Sequence, residues 1–124
     1  MRGPASFSPA DRLHNSAEFR YLQRHGVRAE SDHFVLYAGA IPGRASQLQR
    51  SRLGVTVSKR VGISVIRSRL KRRVRETYRL KLRAMFFKGT ALVVIARAGA
   101  GELTSDAING ELIAAANSVA RRLR

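Results

Sequence analysis

Between Lys59 and Arg83 the chain sets eleven Lys or Arg residues against one acid, Glu76. Apolar residues recur among them at helical spacing. At about 100° per residue, Ile66, Leu70, Val74, Thr77 and Tyr78 share an arc of roughly 120°. Arg69, Arg72, Arg75, Arg79 and Arg83 fall on the opposite arc, with Arg67, Lys71 and Arg73 at the borders. Such a helix needs its apolar stripe covered, because a lone amphipathic helix is marginal in water. Its outer face also needs a neutralising partner: like charges three and four residues apart repel, and an ordinary solvated face would mix both signs.

This stretch carries ten of the sixteen net positive charges, from 24 Lys and Arg against 8 Asp and Glu in 124 residues. A polyanion repays each cation by releasing condensed counterions, so nucleic acid is the partner expected first. Arg outnumbers Lys here, and guanidinium forks grip phosphate in pairs where ammonium groups act as point charges. A membrane-lying helix would instead expose large apolar side chains, and no segment approaches the roughly 20 apolar residues of a span, so no membrane partner is expected. There are no cysteines, which removes disulfides and thiolate zinc sites and makes the cytoplasm the default location. Met1–Ala10 does not read as a signal peptide.

Nothing in the sequence indicates protein-based catalysis. His14, His25 and His33 lack metalloprotease spacing, and the acids are scattered, Glu30 and Asp32 being the closest pair. Gly99-Ala-Gly101 lacks the third glycine of a dinucleotide loop, Thr104 standing in its place, and reads as a turn. No catalytic residue and no metal site are expected in the protein.

The length fits one small domain. Residues 1–10, rich in Gly, Pro and Ser, read as a flexible arm, and 11–124 as a single α+β domain. Asn15 and Glu18 fit a capping box and Gly26 a left-handed stop, predicting a helix over Ser16–His25 with Phe19 and Leu22 on its apolar side. Phe34–Ile41 and Arg52–Ser58 read as strands joined through Pro42–Ser51 as a hairpin. In the second, Leu53, Val55 and Val57 alternate with Gly54, Thr56 and Ser58, one apolar row and one small, polar row. Ser64 fits the cap of a helix reaching about Phe86; Gly89 closes that segment, Ala91–Ala96 is a short apolar strand, and Thr104 or Ser105 opens a last helix. The order is αβββαβα at most, or one strand fewer.

Leu53-Gly-Val-Thr-Val-Ser-Lys-Arg-Val-Gly62, followed by Arg67-Ser-Arg-Leu-Lys-Arg-Arg-Val-Arg-Glu76, resembles the signature of the bacterial ribonuclease P protein family. The likeness extends to Arg12-Leu13, Glu18-Phe19, His25-Gly26, Phe34–Tyr37 and Ala91–Arg97. Ser68 stands where that family usually has Asn, and Gln23 where a second aromatic often follows the first. The resemblance implies a mixed four-stranded sheet covered by helices, with a left-handed βαβ crossover of the kind seen in a small-subunit ribosomal protein domain. It implies an RNA-based endoribonuclease that removes the 5′ leader of precursor transfer RNA, its catalytic centre and Mg²⁺ held by the RNA subunit. Lys59, Arg60, Arg67, Arg69, Lys71, Arg72 and Arg75 would contact the catalytic RNA. Phe19, Tyr37, Thr56 and Ser58, with Arg12 as a weaker addition, would contact the leader. The free protein is expected to be a monomer. The rival reading is a non-enzymatic ribosomal or other structured-RNA-binding protein.

Overall fold

The structure is a computed structural model that describes residues 16–40, 52–86 and 89–123. Three helices, α1 (Ser16–His25), α2 (Ser64–Thr77) and α3 (Ser105–Arg122), accompany strands β1 (Val27–Glu30), β2 (Phe34–Ala40), β3 (Arg52–Val57) and β4 (Thr90–Ala96). The order is αβββαβα, the fuller of the two expected. The arm expected over residues 1–10, Arg12, the Asn15 cap and the Pro42–Ser51 connection lie outside the described residues.

The sheet runs β1-β2-β4-β3, with β4 antiparallel to β2 and parallel to β3. The expected hairpin of β2 and β3 is therefore wrong, because β4 lies between them. Its run Ala91-Leu-Val-Val-Ile-Ala96 is apolar on both faces and nearly all buried, which suits a central strand covered on both sides. A parallel pair needs a crossover, and α2 supplies it between β3 and β4.

On one face of the sheet, α2 and α3 enclose Phe34, Leu36, Ala38, Leu53, Val57, Leu92, Val94 and Ala96. From α2 come Leu70 and Val74, continued by Tyr78 and Leu82, and from α3 come Leu112, Ala116 and Val119. The Thr77 hydroxyl donates to the Asn109 side-chain oxygen at 2.5 Å, tying the two helices together. On the opposite face, the shorter α1 brings Leu22 onto Ala91 and Val93, with Phe19, Tyr37 and Ile95 half-buried around them.

Three local expectations need correction. Ser64 is the first residue of α2 rather than its cap; Ile63 holds the cap position and makes no side-chain cap bond. The helical run reaches Met85, close to the expected Phe86, but its α geometry ends at Thr77 and passes into a π-helical turn, Tyr78–Leu82, and a tight turn, Arg83–Met85. Gly26 is not left-handed; it is needed because a Cβ there would stand 2.6 Å from the Leu22 carbonyl oxygen and 2.9 Å from that of Ala38. Gly89 does take a left-handed conformation, at φ 86°, and Thr104 caps α3 by accepting from the Ala107 amide at 3.1 Å.

A polar clasp fixes the β1–β2 turn to α3. The Glu111 carboxylate accepts from the Ser31 hydroxyl at 2.6 Å and the His33 amide at 2.9 Å, and its second oxygen meets His33 Nδ1 at 2.7 Å. Partial burial pushes the Glu111 pKa up, but the hydrogen bonds from Ser31 and His33 outweigh it and hold the group below the ordinary carboxylate range. A depressed folded-state pKa stabilises the fold above the unfolded value and is lost as pH falls through the folded one. Glu111→Gln is accordingly expected to cost about 1–2 kcal/mol at neutral pH and progressively less in acid. Urea unfolding of both proteins from pH 7 to pH 3 tests this; a cost constant with pH would contradict it.

Candidate nucleic-acid interface

Helix α2 turns Leu70, Val74 and Thr77 into the core and leaves Arg69, Arg72 and Arg73 exposed. These three arginines and Glu76 line a shallow hollow of about 210 Å³. Arg75 and Lys71 are half-buried, and Lys59 and Arg60 are exposed in the short turn Lys59–Val61 that leads into the helix. Arg67 is partly engaged, its Nε donating to the Gly62 carbonyl at 3.2 Å.

The cationic face is thus shifted from the one read off a regular wheel. Arg73, placed at a border by that reading, is exposed, whereas Arg79 and Arg83 are partly turned in. The π-helical turn accounts for Arg79 and Arg83, since the extra residue breaks the 100° phase after Thr77. Arg79 pairs with Glu76, an interaction that lowers the Glu76 pKa and raises that of Arg79. The Arg83 guanidinium stands 5.5 Å from the Tyr78 ring centroid. The exposed arginines of the helix, Arg69, Arg72 and Arg73, all precede the π-helical turn.

The other face of the sheet carries a groove beside α1. Strand register aligns Tyr37, Val93 and Gly54 in one row, and Val35, Ile95 and Thr56 in the next. Phe19 packs down from α1 onto the first row. A Cβ added at Gly54 would stand 2.7 Å from Phe19 Cε1 and closer still to Cζ, so the ring is seated where only glycine leaves room. Thr56 is exposed beside it, and Ser58 is exposed just past the strand. The structure brings Phe19, Tyr37 and Thr56 to one face and puts Ser58 where β3 passes into the basic turn.

Two residues here escaped the sequence reading. Gly54 was counted as one member of a small, polar row, although a glycine inside a strand signals close approach of another group. Arg28, on the short strand β1, donates from Nε to the Tyr37 hydroxyl at 3.3 Å, lies 6.0 Å from that ring, and pairs with Glu30 at 3.1 Å. It steadies the aromatic edge of the groove, and no sequence spacing connects it to Tyr37. Among the described residues no three His, Asp or Glu side chains gather as a metal site, and no helix is long and apolar enough to cross a membrane.

An arginine-rich helix on one face of a small sheet, and an aromatic, hydroxyl-edged groove on the other, define a nucleic-acid-binding α+β domain. The sequence profile of ribonuclease P matches residues 7–120, and the chain belongs to that family, as the protein component of an endoribonuclease of transfer-RNA processing whose holoenzyme contains RNA. It is 36% identical over 114 residues to the ribonuclease P protein component of Syntrophobacter fumaroxidans, covering 92% of each chain. Against that of Clostridium botulinum strain Langeland it is 38% identical over 103 residues, 83% of this chain and 88% of the other. The solved RNase P protein of Staphylococcus aureus superposes with TM-score 0.73 at 27% identity, covering 87% of this chain and 94% of that one. The RNase P protein of Thermotoga maritima gives 0.70 at 26%, covering 89% and 96%. The rival reading as a ribosomal protein gives way to this family.

Proposed function

We propose that this subunit holds two RNAs at once: the catalytic RNA on the α2 side and the single-stranded 5′ leader of precursor transfer RNA in the α1 groove. The observation that carries the reading is the path of β3. The strand exposes Thr56 beside the groove and then passes through Ser58 into Lys59, Arg60 and the cationic helix. Lys59, Arg60, Arg67, Arg69, Lys71, Arg72 and Arg75 meet the catalytic RNA; Arg73, exposed beside them, joins the set. Phe19, Tyr37, Thr56 and Ser58 meet the leader, with Arg12 in support.

Each group suits its task. Guanidinium groups neutralise phosphates in a salt-dependent, sequence-independent way. An aromatic ring with small hydroxyl neighbours offers an unpaired strand a stacking surface that tolerates any base. Leader contacts exist in the precursor and not in the mature product, so they favour substrate over product. The cationic face lowers the repulsion between two large polyanions. In this reading the RNA subunit holds the Mg²⁺ ions that activate water, and the protein supplies affinity and positioning. The only large apolar side chains exposed among the described residues are Ile63, Val65 and Leu80, in keeping with a monomeric free protein, and the reaction is assigned to the cytoplasm.

The test is 5′ cleavage of a leader-bearing precursor at low Mg²⁺ by the cognate RNA subunit, with and without this protein. Strong protein-dependent stimulation is expected; none, from folded and RNA-binding protein, would count against the reading. Phe19→Ala or Tyr37→Ala is expected to weaken precursor binding about tenfold, near the middle of the range for one stacked base. Binding of mature transfer RNA should be unchanged, and equal losses for both RNAs would remove the groove from the proposal.

A further inference from the structure

Of the three large apolar side chains exposed among the described residues, two stand together. Ile63 is 68% exposed and Val65 60%, one at the cap position of α2 and the other the second residue of the helix. Neither placement serves the fold. Isoleucine is among the poorest cap residues, since it offers no side-chain oxygen to the free amides of the first turn. Valine loses rotamer freedom in a helix. The sequence keeps apolar, β-branched surface in water at positions where Ser or Ala would be more stable.

The surroundings identify what covers it. No acid occurs from Lys59 through Arg75, and Lys59, Arg60, Arg67 and Arg69 flank the pair in sequence. The turn is held in place: Arg67 Nε donates to the Gly62 carbonyl at 3.2 Å, and the Arg67 amide donates to the Ile63 carbonyl at 3.0 Å. A Cβ at Gly62 would stand 3.1 Å from Ile66 Cγ2, so the turn packs tightly on the first turn of the helix. Exposed apolar side chains flanked by cations fit an RNA surface that offers phosphates around an unstacked base or the flat face of a ribose. They do not fit lipid, which needs a continuous apolar face.

We infer that Ile63 and Val65 form an apolar contact with an unpaired nucleotide of the catalytic RNA, and that this contact supplies affinity without charge. The inference rests on the assignment of the α2 side to that RNA. Because the contact releases no counterions, its removal should lower affinity equally at every salt concentration, whereas loss of a phosphate contact flattens the salt dependence.

The experiment is titration of the catalytic RNA subunit with wild-type protein and with Ile63→Ser, Ile63→Leu, Val65→Ala and Arg69→Ala across a salt series, alongside thermal unfolding of each free protein. Ile63→Ser should raise the melting temperature by a few degrees through the gained cap. It should also weaken RNA binding about fivefold at all salt concentrations, with an unchanged slope of log K against log salt. Val65→Ala should behave similarly, and Ile63→Leu should retain wild-type affinity. Arg69→Ala should flatten the slope by about one unit. Unchanged affinity in Ile63→Ser while Arg69→Ala loses binding would overturn the apolar contact alone. Silence in both would overturn it together with the assignment of α2 to the catalytic RNA. A loss confined to precursor binding by the assembled holoenzyme would also overturn it, moving the contact to the substrate.

Discussion

Replacing Arg69, Arg72 and Arg73 together by Ala is expected to weaken binding of the catalytic RNA about a hundredfold at physiological salt. These three guanidiniums are exposed along the middle of α2, while Arg79 is engaged with Glu76 and Arg83 lies over the Tyr78 ring. Each phosphate contact to duplex RNA contributes about 0.9 to the slope of log K against log salt. Between physiological ionic strength and the 1 M reference that slope is worth about fivefold per contact, so three contacts give roughly two orders of magnitude. The free protein should not lose stability, because the change removes repulsion between helical neighbours and introduces the best helix former. Affinity titrations from 50 mM to 400 mM salt check this. A large loss with an undiminished slope would show that these arginines act by a route other than phosphate neutralisation. A loss on replacing Arg79 and Arg83 instead would put the contact on the turns that follow α2.

What the sequence discloses depends on whether a pattern is local. The bounds of α1, the apolar stripe of α2 and the existence of β4 as a short apolar strand all rest on neighbours within a few residues. Strand β1 was counted in the fuller expected order but given no bounds, because it has four residues with only one covered face. The β2–β3 hairpin was misread because pairing partners are chosen across the fold, and the more apolar β4 competes for the same edges. The inward turn of Arg79 and Arg83 has a local cause, the π-helical turn after Thr77, but no residue type announces that turn. The groove was half legible: the alternation of β3 gave Thr56 its face, whereas the seating of Phe19 on Gly54 and the hold of Arg28 on Tyr37 join residues 35 and 9 positions apart with no periodic link. Resemblance pointed to Phe19 and Tyr37. Register and packing account for why a ring can lie there at all.

That seating yields a substitution whose outcome differs from what composition alone anticipates. Gly54→Val puts a residue of high strand propensity into a strand interior, where glycine is the weaker choice. Yet the new Cβ would stand 2.7 Å from Phe19 Cε1 and nearer still to Cζ, so the ring must leave its seat and rise into the groove. The cost of lifting a half-buried ring and the gain in strand propensity oppose each other, so net stability should move by no more than about 1 kcal/mol. Binding should not be spared. Loss of an aromatic platform and partial filling of the groove together predict about thirtyfold weaker precursor binding, toward the upper part of the range for one stacked base. Mature transfer RNA, which has no leader, should bind as before, and so should the catalytic RNA, because α2 lies on the other face of the sheet. A double-mutant cycle supplies the decisive control. If Gly54→Val acts by displacing Phe19, then adding it to Phe19→Ala should cost far less than it does alone, since the ring it displaces is already gone. Full additivity of the two losses would mean that Gly54 faces the leader directly and that the ring above it is core.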